Sequence, residues 1–348
     1  MKRWFLKLLK NIIYSRFILG LLIAVVLMYS LLYSVDSGQL KSILSSGNLF
    51  FFSLAILCTL TAILIRGLRW GLIVDQFGKS DYILAMHMTH IGLMLNAVLP
   101  LRTGDFYKVV FVVQSGVLDY HKAVVASIFE RLLDILVLYG FYLISLLMLG
   151  KPNSVPVDLF GVNLPKNFIA NAFDSFAILI VSVLMFFIFL QSRAAKNILI
   201  AVYRHRGGIL HAGLRKIYMI QKSFIGAIRL IRSPFCLAVI FILSLLPWLL
   251  FALSIHIVSY GFQGAHLDFI HAIFVASVAL ASVQLPSVPG GWGLFEAGGV
   301  FAIVSYSNLD ISLAFSVVFI AHLCQYIPTL AVGLYSQLLL LFKPPLKR

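Results

Sequence analysis

Long apolar segments restrict this chain more than any other feature of its sequence. Six of them are long enough to cross about 30 Å of hydrocarbon as α-helices that rise about 1.5 Å per residue. Hydrophobic residues make up 61% of the chain and charged residues 11%, which leaves too little polar surface for a soluble protein. We predict an all-α polytopic membrane protein, a single transmembrane domain over residues 1–348, with spans at 17–35, 49–65, 123–149, 168–190, 235–260 and 311–342.

Two shorter apolar segments, 83–99 and 269–285, lie at the lower length limit for a span, and each ends in Leu-Pro. They fit either a re-entrant segment or one half of a hairpin of two short spans. We favour two broken or re-entrant helical segments beside the six spans. The alternative is a protein of eight spans or more.

Basic residues predict the orientation. Residues 191–234 hold nine Lys or Arg and no Asp or Glu, so this loop is expected in the cytoplasm by the positive-inside rule. The N-terminal run 17–35 follows several Lys and Arg and lacks a small-residue cleavage site, which favours an uncleaved anchor. We therefore expect a protein of the cytoplasmic (inner) membrane with both termini in the cytoplasm.

The spacing of these segments suggests an internal repeat. Repeat unit 1, residues 49–149, contains a span, a broken segment and a second span, and repeat unit 2, residues 235–342, has the same order. Pro100 and Pro286 each lie 51 residues after the start of their unit. With the loop orientation above, the two units would run in opposite directions. Inverted repeats with interrupted helices are a common plan of transporters, in which the substrate site lies between the halves.

The break in unit 2 has the sequence "PGGWGLFE". Pro289 ends the incoming segment, while Gly290, Gly291 and Gly293 permit positive φ and close backbone approach. Non-helical backbone at membrane depth must be buried in protein or line a wet cavity, so this stretch predicts a cavity. A new helix is expected near Gly293, and Glu296 in its first turn would either cap the free N–H groups or present a charge to substrate.

The break in unit 1 carries polar residues, within "NAVLPLRTGDFYK". Arg102 has the planar donor fork that suits a phosphate, and Asn96, Asp105 and Lys108 lie close to it in sequence. These residues are candidate substrate contacts.

Charged residues also occur inside an apolar span, in "FERLLD". Glu130 and Asp134 share one helix face at i,i+4, and Arg131 lies beside Asp134 at i,i+3. An unpaired charge at this depth costs several kcal/mol, on the order of 2.5–3.5, so these side chains must face the bundle interior and find partners. They are either part of a translocation site or an ion-pair cluster that holds helices together.

The basic loop contains a predicted amphipathic helix over 209–232. Arg215, Lys222 and Arg229 lie seven residues apart on one face. We expect them to attract anionic lipid, or else only to fix the topology. The net charge of +15 is therefore interpreted as affinity for an anionic membrane and not for nucleic acid.

Metal and cofactor chemistry is not expected. The cysteines number three and lie in apolar runs, and His87 and His90 alone are too few ligands for a metal. No phosphate-binding loop or dinucleotide motif is present.

The order "LPLRTGD", "ERLLD" and "PGGWGLFE" resembles the flippase-like membrane family that includes the transmembrane region of lysylphosphatidylglycerol synthases. Only six residues follow Phe342, so we expect no aminoacyl-transfer domain and no synthase activity. The resemblance implies translocation or handling of a lipid with a polar head group. The matching positions are Arg102, Gly104, Asp105, Glu130, Arg131, Asp134, Pro289, Gly290, Gly291, Gly293 and Glu296.

We predict a lipid translocator that moves a phosphate-bearing lipid between leaflets and is not an enzyme. Its partners would be anionic or phosphate-bearing membrane lipids and a lipid-modifying enzyme. One alternative is a membrane glycosyltransferase with a polyprenyl-phosphate donor. Such an enzyme would need catalytic carboxylates on an external loop, and the predicted external loops 36–48 and 150–167 offer only two carboxylates. Another is a non-transporting partner of a lipid-modifying enzyme. The sequence does not indicate the oligomeric state, the lipid or the direction of transport.

Overall fold

The computed structural model describes Tyr29 and residues 37–99, 102–150, 157–159, 162–164, 234–283, 289–307 and 309–341. The predicted spans 17–35 and 168–190 lie outside these residues, as does the basic segment except for Pro234. In the described part the chain is almost entirely helical. Its helices are α1 Ser37–Ser45, α2 Leu49–Asp75, α3 Tyr82–Val98, α4 Thr103–Gln114, α5 Tyr120–Leu149, α6 Pro234–Tyr260, α7 Phe269–Ser282, α8 Leu294–Tyr306 and α9 Ile311–Leu341.

Four of these helices, α2, α5, α6 and α9, are long and apolar enough to cross a membrane. They confirm the predicted spans that begin at 49, 123, 235 and 311. Large apolar side chains on them face outward, among them Leu57 and Leu147, which are 59% and 85% exposed. A surface of this kind suits contact with lipid and would be unfavourable in water.

Helix α2 extends beyond the first of these predicted spans. The predicted span ends at residue 65, before the first charged side chain, whereas α2 continues to Asp75. Arg69 in this extension is buried and paired with a carboxylate inside the protein, as a buried charge requires.

Two pairs of shorter helices flank the predicted breaks. Helix α3 ends at Val98 and α4 begins at Thr103, while α7 ends at Ser282 and α8 begins at Leu294 after a 3₁₀ turn at Pro289–Gly291. The four helices contain 17, 12, 14 and 13 residues, and each falls short of the ~20 residues that a span needs.

The described parts of the two repeat units have the same order of elements: long helix, short helix, break, short helix, long helix. The long helices contain 27 and 30 residues in unit 1 and 27 and 31 in unit 2. Contacts between units are reciprocal, since α3 packs on α9, α7 packs on α5, and α2 packs on α6. The opposite orientation of the units in the membrane stays a prediction.

A small hairpin was not predicted. Strands β1 Val157–Leu159 and β2 Val162–Leu164 pair antiparallel, with Val157 opposite Leu164, and β1 lies beside α8.

Candidate functional site

A cavity of about 170 Å³ lies between the two units. Unit 1 contributes Arg66 from α2, Asn96 from α3, Arg131 from α5 and Arg102 from the break. Unit 2 contributes aromatic and polar side chains and the backbone of its glycine turn. These lining residues include Trp248, Phe251, Gly290, Gly291, Phe295, His322, Gln325 and Tyr326.

A buried ion network supports the unit 1 side of this cavity. The guanidinium of Arg69 donates to Asp134 at 2.6 Å and to Glu130 at 3.0 Å, and Lys108 donates to the other oxygen of Glu130. All four side chains are at most 4% exposed. Each carboxylate therefore has a cation in direct contact, as buried charges require.

Arg131 lies between this network and the cavity. Its guanidinium is 3.3 Å from Asp105, 3.4 Å from Asp134 and 3.7 Å from Glu130. Asp105 also accepts a hydrogen bond from the side-chain amide of Asn96 at 3.3 Å. These carboxylates hold Arg131 at the cavity wall and connect α3, α4 and α5.

Gly104 brings α4 close to α3. Its backbone N–H donates to the side chain of Asn96 at 2.8 Å, and a Cβ added at Gly104 would overlap the carbonyl group of Gly92. Any other residue at position 104 would push the two helices apart. Gly104 therefore allows close packing beside the site, and its predicted part in substrate binding stays a prediction.

Two arginines at the cavity have no carboxylate partner among the described residues. Arg66 and Arg102 both line the cavity, and neither forms a salt bridge there. The guanidinium of Arg66 lies over the ring of Trp248, 4.2 Å from its centroid. Arg102 precedes α4 with φ of 52°, the left-handed region that non-glycine residues seldom occupy.

The cavity side of unit 1 therefore carries an excess of positive charge. We use the name cationic cluster for the five basic residues and three carboxylates gathered there. Their formal charges leave an excess of two positive charges. The members are Arg66, Arg69, Arg102, Lys108 and Arg131 with Asp105, Glu130 and Asp134.

The unit 2 side is built on the glycine turn before α8. Gly290, Gly291 and Gly293 have φ of 66°, 74° and 82°, as the sequence predicts. A Cβ at Gly290 would lie 3.1 Å from the carbonyl oxygen of Ala97 in α3. The turn thus packs directly against unit 1, at the entrance to its break.

Glu296 and His322 fasten this turn. One carboxylate oxygen of Glu296 accepts from the N–H of Gly293 at 2.7 Å, and the other lies 2.5 Å from Nδ1 of His322. The second ring nitrogen of His322, Nε2, lies 3.1 Å from the carbonyl oxygen of Gly290. The imidazole lies between the rings of Trp292 and Phe295, each with its centroid 4.3 Å away.

The structure brings five predicted site residues to the cavity wall: Asn96, Arg102, Arg131, Gly290 and Gly291. Asp105, Glu130 and Asp134 form the ion pairs that hold the basic residues in place. Pro289 and Gly293 belong to the glycine turn before α8. Glu296 is fully buried and caps α8. Capping is the first of the two roles predicted for it. The predicted lipid-surface residues Arg215, Lys222 and Arg229 lie outside the described residues. The roles of all these predicted site residues in transport stay predictions.

Sequence reasoning missed several members of this site. Hydropathy ends the predicted span at residue 65 and so assigns Arg66 and Arg69 to a loop, although their i,i+3 spacing directly after an apolar run is a usable signal. His322 is a titratable residue inside an apolar span, which is also a functional signal by itself. Trp248 had no distinguishing sequence feature.

Comparison with known proteins gives a family. The model of the lysylphosphatidylglycerol synthase transmembrane region matches residues 17–333. A UPF0104 membrane protein from Methanothermobacter thermautotrophicus is 23% identical over 322 residues, which covers 89% of this chain and 90% of that protein. No solved structure matches this chain. Because the family model covers most of its length, this multi-pass membrane protein belongs to the family of lysylphosphatidylglycerol synthase transmembrane regions.

Proposed function

We propose that this protein is a lipid translocator that moves a phosphate-bearing lipid between the leaflets of the cytoplasmic membrane. The observation that carries the proposal is the excess of two positive charges at a cavity between two packed units. An anionic head group in this cavity would neutralise that excess. The family is named for the membrane region of a synthase whose product, by its name, is a phospholipid, and this supports a lipid substrate.

The chemistry of the basic residues favours phosphate. Guanidinium groups donate in a planar fork that matches two phosphate oxygens. Arg66 and Arg102 have no salt bridge to a described residue, so their forks are available to a ligand. The buried Nε of Arg131 also lacks a hydrogen-bond partner among the described residues.

The size of the cavity favours a head group without its tails. Pockets that enclose a drug-sized molecule measure about 300–1,000 Å³, and this cavity of about 170 Å³ is smaller. Acyl or prenyl chains would therefore stay in lipid, against the apolar outer faces of the helices. This is the arrangement that a translocator needs, because only the polar head group requires shelter from hydrocarbon.

The position of the cavity supports movement. Its wall is shared by two units with the same order of helices and reciprocal contacts. Transporters with this plan expose a site between the halves first to one side and then to the other as the units tilt. An enzyme would need only one access route, so we propose transport and no catalytic activity.

The test is movement of acyl-labelled fluorescent lipids in vesicles, read with an impermeant quencher. The panel contains phosphatidylglycerol, phosphatidic acid and a polyprenyl phosphate, with zwitterionic phosphatidylcholine for comparison. We expect the protein to accelerate a phosphate lipid of net negative charge and Arg102→Gln to reduce the acceleration. The matched control is Lys122→Gln, which removes a cation from an exposed pair with Asp119.

Failure of the wild-type protein to move any lipid of the panel faster than empty vesicles would contradict the proposal. Binding of these lipids without movement would favour a non-transporting partner of a lipid-modifying enzyme.

A further inference from the structure

We infer that Glu296 and His322 form a proton-binding site and that one proton is carried with each lipid; this inference rests on the proposed function. The pair lies on the unit 2 side, opposite the cationic cluster, and His322 lines the same cavity as Arg66 and Arg102. Coupling to protons would supply a driving force for net lipid movement, which the excess of positive charge cannot supply because it only favours binding.

The hydrogen bonds of His322 define how many protons the pair holds. Nε2 faces the carbonyl oxygen of Gly290 at 3.1 Å. A carbonyl oxygen only accepts, so Nε2 must carry a proton. Nδ1 then faces a carboxylate oxygen of Glu296 at 2.5 Å, a distance that requires one further proton between the two atoms. Whichever of the two atoms holds that proton, the pair as a whole is neutral.

Loss of the shared proton would make this arrangement unfavourable. Two lone pairs would then face each other at 2.5 Å. A net negative charge would also remain on groups that are 0% and 4% exposed. Buried charge without a partner is strongly disfavoured. The deprotonated pair is therefore expected to separate.

Separation would act on the contact between the units. Gly290 is held through its carbonyl oxygen by His322, and Gly293 is held through its N–H by Glu296. The turn between them packs against Ala97 of unit 1. A change in the proton content of the pair thus reaches the surface along which the units would move.

The charges around the pair give the sign of the coupling. Arg66, Arg102 and Arg131 share its cavity, and Tyr326 lies beside the imidazole with ring centroids 6.1 Å apart. A phosphate held by these cations brings its negative charge into the same cavity, where it would repel a negative pair but not the neutral pair that retains its proton. Lipid and proton therefore bind together, and the linkage is reciprocal.

Glu296→Gln is the decisive variant. The Gln side chain can still accept from Gly293 and can donate to Nδ1 of a neutral His322, so it imitates the protonated pair permanently. The matched control is His90→Gln. His90 is another buried histidine, bonded to Ser336 at 3.0 Å, and it is not among the residues that line the cavity.

The experiment imposes a pH gradient on vesicles whose membrane potential is clamped and follows labelled phosphatidylglycerol with the impermeant quencher. For the wild type and His90→Gln we expect lipid to accumulate in the leaflet on the less acidic side. For Glu296→Gln we expect exchange of lipid at equal pH but no response to the gradient. In weakly buffered detergent solution, short-chain phosphatidylglycerol should cause uptake of one proton per bound lipid by the wild type and none by Glu296→Gln.

Three outcomes distinguish failure of proton coupling from failure of the proposed function. Wild-type protein that moves phosphatidylglycerol at equal pH but ignores the gradient, or Glu296→Gln that responds like the wild type, would overturn proton coupling and leave translocation standing. Wild-type protein that moves no phosphatidylglycerol under any condition would overturn this inference, and the full lipid panel would then decide the proposed function.

Discussion

The indole N–H of Trp248 donates to Asp134 across 3.1 Å and joins the two units at the buried ion network. Trp248 belongs to α6 of unit 2, and Asp134 to α5 of unit 1. The same indole ring carries the guanidinium of Arg66 over its face. One side chain thus positions both a buried carboxylate and a cation of the cavity.

We predict that Trp248→Phe lowers the free energy of unfolding by about 1.5–3 kcal/mol, the usual contribution of a hydrogen bond to a charged group. The Phe ring would still lie under Arg66, so the effect reports the lost N–H. Thermal unfolding in detergent measures it. The matched control is Trp70→Phe, because Nε1 of the fully buried Trp70 has no partner among the described residues. An equal loss in both variants would assign the effect to packing.

Glu130→Gln is predicted to be more damaging. It removes the carboxylate that contacts both Arg69 and Lys108 and leaves buried positive charge without compensation. Breaking a buried pair from one side typically costs about 3–5 kcal/mol. We expect a large fall in folded yield and melting temperature, measured by size-exclusion chromatography and thermal unfolding. A stable, well-folded Glu130→Gln protein would show that the network is not needed for folding.

Gly104→Ala is predicted to prevent the close contact of α3 and α4. The added methyl group would overlap the carbonyl group of Gly92, which is backbone and cannot rotate away. We expect loss of both thermal stability and lipid movement. The control is Gly140→Ala in α5, where an added Cβ meets nothing within 4 Å. There alanine should raise helix stability by about 0.5–1 kcal/mol. Equal behaviour of the two variants would contradict the packing argument.

Local sequence patterns predicted the elements of this fold better than the contacts between them. The four long helices follow from hydropathy over a single stretch of chain, and the shared face of Glu130 and Asp134 follows from the helical period. Arg69 meets Asp134 from 65 residues away, and such a pairing has no local signal.

The unit 2 side of the site shows the same limit. The positive φ of Gly290 and the helix start after Gly293 follow from residue type. The partner of Glu296 is His322 on another helix, which only tertiary packing brings near. Sequence alone therefore left the capping and substrate-facing roles of Glu296 as open alternatives and favoured the substrate-facing one.

The orientation of the units can be tested by cysteine labelling. In a background without Cys58, Cys236 and Cys324, single cysteines at Lys79 and Gln114 should both be protected from an impermeant external thiol reagent. Single cysteines at Gln263 and Leu309 should both react. The reason is that the basic loop of residues 191–234 is expected in the cytoplasm. Opposite results within either pair would contradict the re-entrant interpretation of the broken segments.

Removal of the cavity arginines one at a time should weaken the preference for anionic lipids in steps. Arg66→Gln and Arg102→Gln each lower the excess from two to one, and the double variant removes it. Each single change should slow a lipid with a dianionic head group more than one with a monoanionic head group, because the lost attraction scales with ligand charge. The double variant should treat anionic and zwitterionic lipids alike. Rates for phosphatidic acid at pH 8, phosphatidylglycerol and phosphatidylcholine in the same vesicles measure this order. Unchanged preference in the double variant would mean that the excess charge serves only to hold helices together.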